Sequence, residues 1–382
     1  MGLTSTKLQL LFSLLAVVAV VATVWWWPRL GGRSWRAVTG RVGVLVANQA
    51  LTLVALGLVL NAWGGFYGSW DDLFGTGAAA AGAPIIAAGG AGAAVKVLDS
   101  RAVKGGRIEQ VLIPGATTGI TAPAYVFLPT AYFTKKSERF PVILALTGYP
   151  GDARNLMTRM DLPGRMAKAI AAHEAQPTVL VMMRPSVAPP RDTECIDVPG
   201  GPQVETYFTK DVKQSMAASF RVGSSTADWG ILGGSTGGFC ALKMAMRQPS
   251  AYTAAVSLSG YFRTILDSTT GDLFGGRKGL EQENNLMWRL AHLPAPPVNV
   301  LVTSSKVGES DYGATLRFLA AVKPPMQASS LILPSGGHNF DTWNRELPQA
   351  LPWLAQQLRS SRPARTPDAA PRPQPSGDRP HT

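Results

Sequence analysis

Asp228-Trp-Gly-Ile-Leu-Gly-Gly-Ser-Thr-Gly-Gly-Phe-Cys-Ala-Leu-Lys243 is the stretch on which the reading of this chain turns. Trp229 to Leu232 is a short apolar run with the character of a buried strand, Gly233 to Gly237 turns sharply, and Phe239 to Met246 has helical composition. A serine set in Gly-x-Ser-x-Gly between a strand and a helix is the pattern of a nucleophile elbow. The turn holds the side chain at the strand's carboxyl end, and glycines are needed where a Cβ would collide between strand and helix. Gly-x-Ser-x-Gly alone is a weak signal in a chain with 40 glycines, and the strand-turn-helix setting is what gives it weight.

A serine hydroxyl needs a base to take its proton as it attacks, and histidine suits that task near neutral pH. The chain has four histidines. His173 belongs to a predicted helix before the elbow, His292 closes another, and His381 lies in a Pro/Arg-rich tail. His338, in Pro334-Ser-Gly-Gly-His-Asn-Phe-Asp-Thr-Trp343, follows the last predicted strand and precedes the last predicted helix, where an elbow serine would find its base. The acid that orients the imidazole is expected in the loop after the strand Val298 to Thr303. Glu309 and Asp311 both lie there; Glu309 is preferred, because Asp311 has a ready role as a helix cap. For the oxyanion, the amide of Thr236 is one expected donor. The other is the amide of Tyr149 in Thr147-Gly-Tyr-Pro-Gly-Asp152, since Pro150 has no N–H to offer.

Strands are also expected at Arg107 to Ile113, Ala124 to Leu128, Phe140 to Leu146, Thr178 to Met183, Tyr252 to Leu258 and Ser330 to Leu333. Helices are expected at Asn155 to Glu174, Tyr207 to Phe220, Glu281 to Leu290, Ala314 to Val322 and Leu347 to Leu358. Their alternation predicts an α/β fold: a central, mostly parallel sheet flanked by helices over residues 95–359.

Two further segments precede this domain. Leu8 to Trp27 and Val42 to Trp63 are apolar runs of about 20 residues, each long enough to cross a hydrocarbon core, and each ends in tryptophans suited to the headgroup level. Arg29, Arg33, Arg36 and Arg41 lie between them. By the positive-inside tendency that connection is cytoplasmic, which places the catalytic unit outside. Residues 1–70 are thus expected to be a membrane anchor, 71–94 a Gly/Ala-rich linker and 360–382 a disordered tail.

The net charge of +12 is partly carried by the inter-helix connection and the tail, without basic-aromatic interleaving in the folded part. Attraction to anionic lipid or envelope polymers is favoured over nucleic acid. No Cys/His spacing suits zinc, and neither a metal nor a cofactor is expected. Of the two cysteines, Cys195 and Cys240, the second falls on the elbow helix. A buried free thiol is expected there, a disulfide being chemically permitted outside the membrane.

Four motifs together resemble the esterase D and antigen-85-type mycolyltransferase branch of the α/β-hydrolases. They are Leu144-Ala-Leu-Thr-Gly-Tyr-Pro-Gly151, Asp228 to Gly238, Ser257-Leu-Ser-Gly260 and Gly336-Gly-His-Asn-Phe340. The resemblance covers about Val95 to Leu358. It implies an α/β-hydrolase fold, Ser235 as nucleophile, His338 as base, a carboxylate at Glu309, and Tyr149 and Thr236 as oxyanion donors. Thr147 and Pro150 stand where mycolyltransferases carry an Asp and an Arg that hold trehalose, and neither can make those charged contacts. The expected activity is hydrolysis of an ester or acyl-lipid substrate. Acyl transfer between envelope molecules, or a silent binding module, are the other readings.

Overall fold

The computed structural model describes residues 2–3, 5–64, 70, 73, 94–187, 191–359 and 362–363. The expected linker, apart from Leu73 and Ala94, and nearly all of the expected tail lie outside them.

Nine strands form one sheet: β1 (Lys96–Val103), β2 (Gly106–Pro114), β3 (Thr121–Pro129), β4 (Val142–Leu146), β5 (Val179–Met183), β6 (Trp229–Gly234), β7 (Ala254–Leu258), β8 (Asn299–Val307) and β9 (Gln327–Ser335). Their spatial order is β1-β2-β3-β5-β4-β6-β7-β8-β9. The first three strands and the β3–β5 pairing are antiparallel; every later pairing is parallel. The mostly parallel sheet that the alternation predicts is present, entered through antiparallel strands.

Strands β4, β5, β6 and β7 are buried along their whole length. Their side chains serve two cores by the period-two alternation of a strand. Val142, Leu144 and Leu146 join one core with Val212 and Met216 of α4 (Val212–Ser219), Phe239 and Leu242 of α5 (Thr236–Arg247), Leu286 and Leu290 of α6 (Leu286–His292) and Phe318 of α7 (Tyr312–Ala321). Ile143 and Ala145 face the other core, with Leu162 and Met166 of α3 (Leu162–Ala171) and Leu347, Leu351 and Leu354 of α8 (Phe340–Gln356). A parallel sheet covered on both faces must read as continuous apolar runs, which is why these strands are plain in the sequence.

Several boundaries differ from expectation. The helix expected from Asn155 to Glu174 breaks at Asp161, which takes a left-handed conformation (φ 45°) and caps α3 by accepting from the Gly164 amide. Leu347 to Leu358 is the second half of a helix that begins at Phe340. Strand β1 was not expected: it is a sheet edge, solvated on both faces, so it shows no alternation.

Ahead of the domain, α1 (Thr6–Trp26) and α2 (Trp35–Gly64) are apolar and largely exposed, with apolar windows of mean hydropathy 2.3 and 2.0 and length enough to cross a hydrocarbon core. Helix α2 starts seven residues before the expected run, so Arg36 and Arg41 lie on its first turns rather than in the connection. Arg29 stacks over Trp25 with its guanidinium carbon 4.6 Å from the ring centre.

The cysteine expectation is corrected. Cys195 and Cys240 form a disulfide, with Cα atoms 5.8 Å apart, and both are buried. The cause is local: the Lys243 ammonium, one helical turn on from Cys240 and wholly buried, donates to the carbonyls of Glu194 (2.8 Å) and Cys195 (2.6 Å). That holds the Cys195 loop against α5.

Candidate active site

The site lies where β6 passes into α5. Ser235 has φ 55° and ψ −122°, a strained conformation for a residue with a side chain, and such strain costs about 1–3 kcal/mol. Close packing holds it. A Cβ on Gly233 would come 2.2 Å from the backbone of Gly237, and one on Gly237 would come 2.3 Å from the Thr147 carbonyl. Strand, helix and the loop after β4 therefore meet at distances that only glycine allows. The Ser235 amide donates to the Leu258 carbonyl at 3.0 Å, tying the elbow to the end of β7.

His338 reaches the serine from the loop between β9 and α8. Its Nε2 is 2.8 Å from Ser235 Oγ. Asn339 caps α8 by accepting from the Thr342 amide, and the Gly337 amide donates to Thr342 Oγ1 at 2.9 Å. The imidazole meets the Trp343 ring edge-on, with centroids 5.5 Å apart. These contacts fix the loop without closing the imidazole off from solvent.

The acid arm is differently arranged. Glu309 follows β8, in a loop that crosses the His338 loop closely: the Gly336 amide donates to the Val307 carbonyl, and a Cβ on Gly308 would come 2.1 Å from the Gly336 carbonyl. The Glu309 carboxylate accepts from the hydroxyls of Ser259 and Ser304. No hydrogen bond joins His338 Nδ1 to a carboxylate among the described residues. Asp311 is half-buried at the N-cap of α7 and makes no side-chain capping bond. Of the two candidates, only Glu309 is joined to the Trp343 side of the histidine.

That joining runs through Ser259, which sequence reasoning did not single out. Ser259 Oγ accepts from Trp343 Nε1 at 3.0 Å while donating to Glu309, and its backbone sits at φ 48°. The available signal was the Ser257-Leu-Ser-Gly260 motif, to which no role was attached. Beside it, Glu346 is fully buried, with Oε2 accepting from Thr303 Oγ1 at 2.7 Å and Oε1 without a partner. Burial, and secondarily the nearby Glu309 charge, push its carboxyl up to about 8.

Of the two expected oxyanion donors, Thr236 is the first residue of α5, so its amide is among those a helix leaves unpaired at its start. The Thr147–Gly151 turn runs alongside: a Cβ on Gly148 would stand 3.0 Å from Ser235 Cβ, and Tyr149 and Pro150 line the same cavity as Ser235 and His338. That cavity has a volume of about 270 Å³. The Thr236 hydroxyl lies 3.1 Å from Tyr261 Oη, which donates to Glu194 at 2.6 Å. Among the described residues no group of His, Cys, Asp and Glu has the arrangement of a metal site.

A strained serine in hydrogen-bond contact with a histidine, above a parallel sheet and beside a glycine-rich turn, is an arrangement for acyl chemistry. A family model described as "Putative esterase" matches residues 115–354. The chain belongs to this esterase family.

A curated relative, an uncharacterised protein of Corynebacterium glutamicum, is 25% identical over 285 residues; the match covers 68% of this chain and 64% of that relative. Three solved structures share the fold. An S-formylglutathione hydrolase from Agrobacterium tumefaciens matches with TM-score 0.58 at 14% identity, covering 69% of this chain and all of that one. A ferulic acid esterase matches with TM-score 0.56 at 18% identity, covering 68% and 99%. A fluorophosphonate-binding serine hydrolase from Staphylococcus aureus matches with TM-score 0.53 at 18% identity, covering 65% and 98%. The fold is that of the α/β-hydrolases.

Proposed function

We propose that this esterase-family chain is a membrane-anchored serine esterase whose catalytic domain faces away from the cytoplasm. The observation that carries the reading is the 2.8 Å contact between His338 Nε2 and Ser235 Oγ at a backbone position held in strain.

In this mechanism His338 Nε2 takes the Ser235 proton as Oγ bonds to the ester carbonyl carbon, and the carbonyl π pair moves onto oxygen. The amides of Thr236 and Tyr149 hold that oxyanion. Collapse of the intermediate breaks the bond to the alcohol oxygen, which leaves with the proton from His338. Water, deprotonated by the same imidazole, attacks the acyl carbon; the bond to Ser235 Oγ breaks, Oγ takes the proton back from His338, and the acid leaves. Glu309 orients the histidine and balances its charge in the transition state, moving from its serine partners to Nδ1 as substrate binds; catalytic hydrogen bonds often tighten only at that stage. The helices α1 and α2 are the anchor, and the arginines about their junction set its direction.

The test is labelling of intact cells with a membrane-impermeant fluorophosphonate, comparing wild type with Ser235→Ala. Ser235-dependent labelling supports both the activated serine and the outward face. Labelling only in broken cells would reverse the topology and leave the chemistry; absence of labelling in folded protein would remove the esterase reading.

A further inference from the structure

Arg159 lines the same cavity as Ser235 and His338, and its guanidinium makes no hydrogen bond or ion pair to any described residue. Neighbouring arginines are engaged: Arg154 pairs with Asp152 at 3.2 Å, Arg165 donates to the Met160 carbonyl and to Asn344, and Arg184 donates to the Pro150 carbonyl. An arginine presents five N–H donors in a fixed plane, and at this half-buried position beside the nucleophile none is committed to the protein, so all of them are free to meet an acceptor brought by the substrate.

The residue is also held in place, its backbone by Asn344 and its guanidinium by Phe340. The Arg159 carbonyl accepts from Asn344 Nδ2 at 2.8 Å, and Asn344 Oδ1 in turn accepts from Arg165. The guanidinium lies over the Phe340 ring, 5.3 Å from its centre, and Phe340 packs edge-on against Trp343. The stack leaves the N–H edge of the guanidinium available for a planar acceptor. The walls supplied by Phe340, Trp343 and Pro150 strengthen any charge pair formed there. Asp341 lines the cavity too, but it lies exposed in the first turn of α8, where the helix dipole favours a carboxylate, and it forms no ion pair with Arg159.

Building on the Ser235 reading, we propose that Arg159 is a specificity residue that selects esters carrying an anionic oxygen group, a carboxylate or a phosphate, within a few bonds of the scissile carbonyl. The distance limit follows from adjacency: Arg159 lines the same cavity as Ser235 and His338, so a group held on its guanidinium is joined to the scissile carbonyl by a short connecting chain. The guanidinium grips it through two parallel N–H···O bonds.

The experiment compares matched esters on the full-length protein in detergent or nanodiscs, counting only turnover that Ser235→Ala abolishes. On the acyl side, p-nitrophenyl hydrogen adipate is set against p-nitrophenyl 6-methylheptanoate, in which an isopropyl group replaces the carboxylate. On the alcohol side, butyryl glycerol phosphate is set against butyrylglycerol and butyrylcholine. At least one anionic ester is expected to exceed its neutral partner in kcat/KM. That ratio should fall on the order of 10- to 100-fold in Arg159→Met and be partly kept in Arg159→Lys, with thermal melts confirming that both variants fold. The ester showing the loss identifies the side of the scissile bond that carries the charge. Ser235-dependent turnover whose ratio ignores Arg159, or a preference for butyrylcholine, would overturn this assignment and leave the esterase reading intact. Absence of Ser235-dependent turnover with all five esters would overturn both.

Discussion

Trp343 Nε1 donates to Ser259 Oγ at 3.0 Å, and through that one hydroxyl the helix carrying the histidine loop is coupled to the loop carrying Glu309. Ser259 comes from the end of β7, Trp343 from α8 and Glu309 from beyond β8, so three crossovers of the sheet converge on a single side chain. Its positive φ shows that the backbone is bent to put it there.

Ser259→Ala removes the acceptor for Trp343 and one of the two donors to Glu309. Turnover is expected to fall about 10- to 100-fold, mostly in kcat, because the substrate-binding wall is untouched while the histidine's support is loosened. Trp343→Phe, which keeps an aromatic ring but removes the N–H together with part of the indole that lines the cavity, should lower kcat in the same direction and alter KM as well. Steady-state kinetics on a p-nitrophenyl ester check both. An equal effect of Ser259→Ala on KM would show that the cluster shapes the cavity instead.

Glu309→Gln is expected to lower kcat by about 10²- to 10⁴-fold, the range associated with losing the group that orients and charge-balances a catalytic imidazole. Asp311→Asn should stay within a few-fold of wild type, since its side chain makes no bond to the histidine loop. The reverse pattern would make Asp311 the acid and leave Glu309 as a structural partner of Ser259 and Ser304.

The parts of this architecture legible in the sequence are those where chemistry and local geometry coincide. Gly233 and Gly237 mark the elbow because backbone meets backbone there, and His338 stands out because the other three histidines lie on unsuitable elements. The four central strands are readable because burial on both faces leaves only apolar residues. The illegible parts depend on meetings between distant segments. Ser259 has no sequence mark that distinguishes it from a turn serine, and Glu346 reads as an ordinary helix carboxylate until Thr303 is found against it. Arg159 is one of many arginines in a basic chain, and only the cavity singles it out.

The Cys195–Cys240 bond was the clearest departure from expectation, and it has a stability consequence. It closes a loop of 45 residues, for which chain entropy gives about 2–4 kcal/mol of stabilisation. Cys195→Ala with Cys240→Ala should lower Tm by about 5–15 °C in scanning calorimetry or a dye-based melt. Wild type melted with a reductant should approach the same value. A double variant melting with wild type would mean that the Lys243 ammonium, donating to the Glu194 and Cys195 carbonyls, holds that loop by itself.

Glu346 makes a prediction about pH. Its carboxyl has an ordinary value of 4.5 and is raised to about 8 in the folded chain, chiefly by burial. Between those values the folded protein keeps a proton that the unfolded chain has released, so raising the pH favours unfolding. The stabilisation is fully present below about 4.5 and is lost as the pH rises through about 8. Glu194, raised to about 8, and Asp192, raised to about 6, both chiefly by burial, add slope of the same sign. Above pH 8 the buried Lys243 ammonium and the half-buried Lys213 ammonium, both pushed down to about 8 chiefly by burial, contribute the opposite sign. The window to measure is therefore pH 5 to 8. Glu346→Gln, which keeps the shape and the acceptor for Thr303 but cannot ionise, should flatten part of the decline there, gaining on the order of 1–3 kcal/mol, several degrees in Tm, over wild type at pH 8 relative to pH 5. Parallel melting curves for the two proteins across that window would mean that Glu346 is not the group titrating.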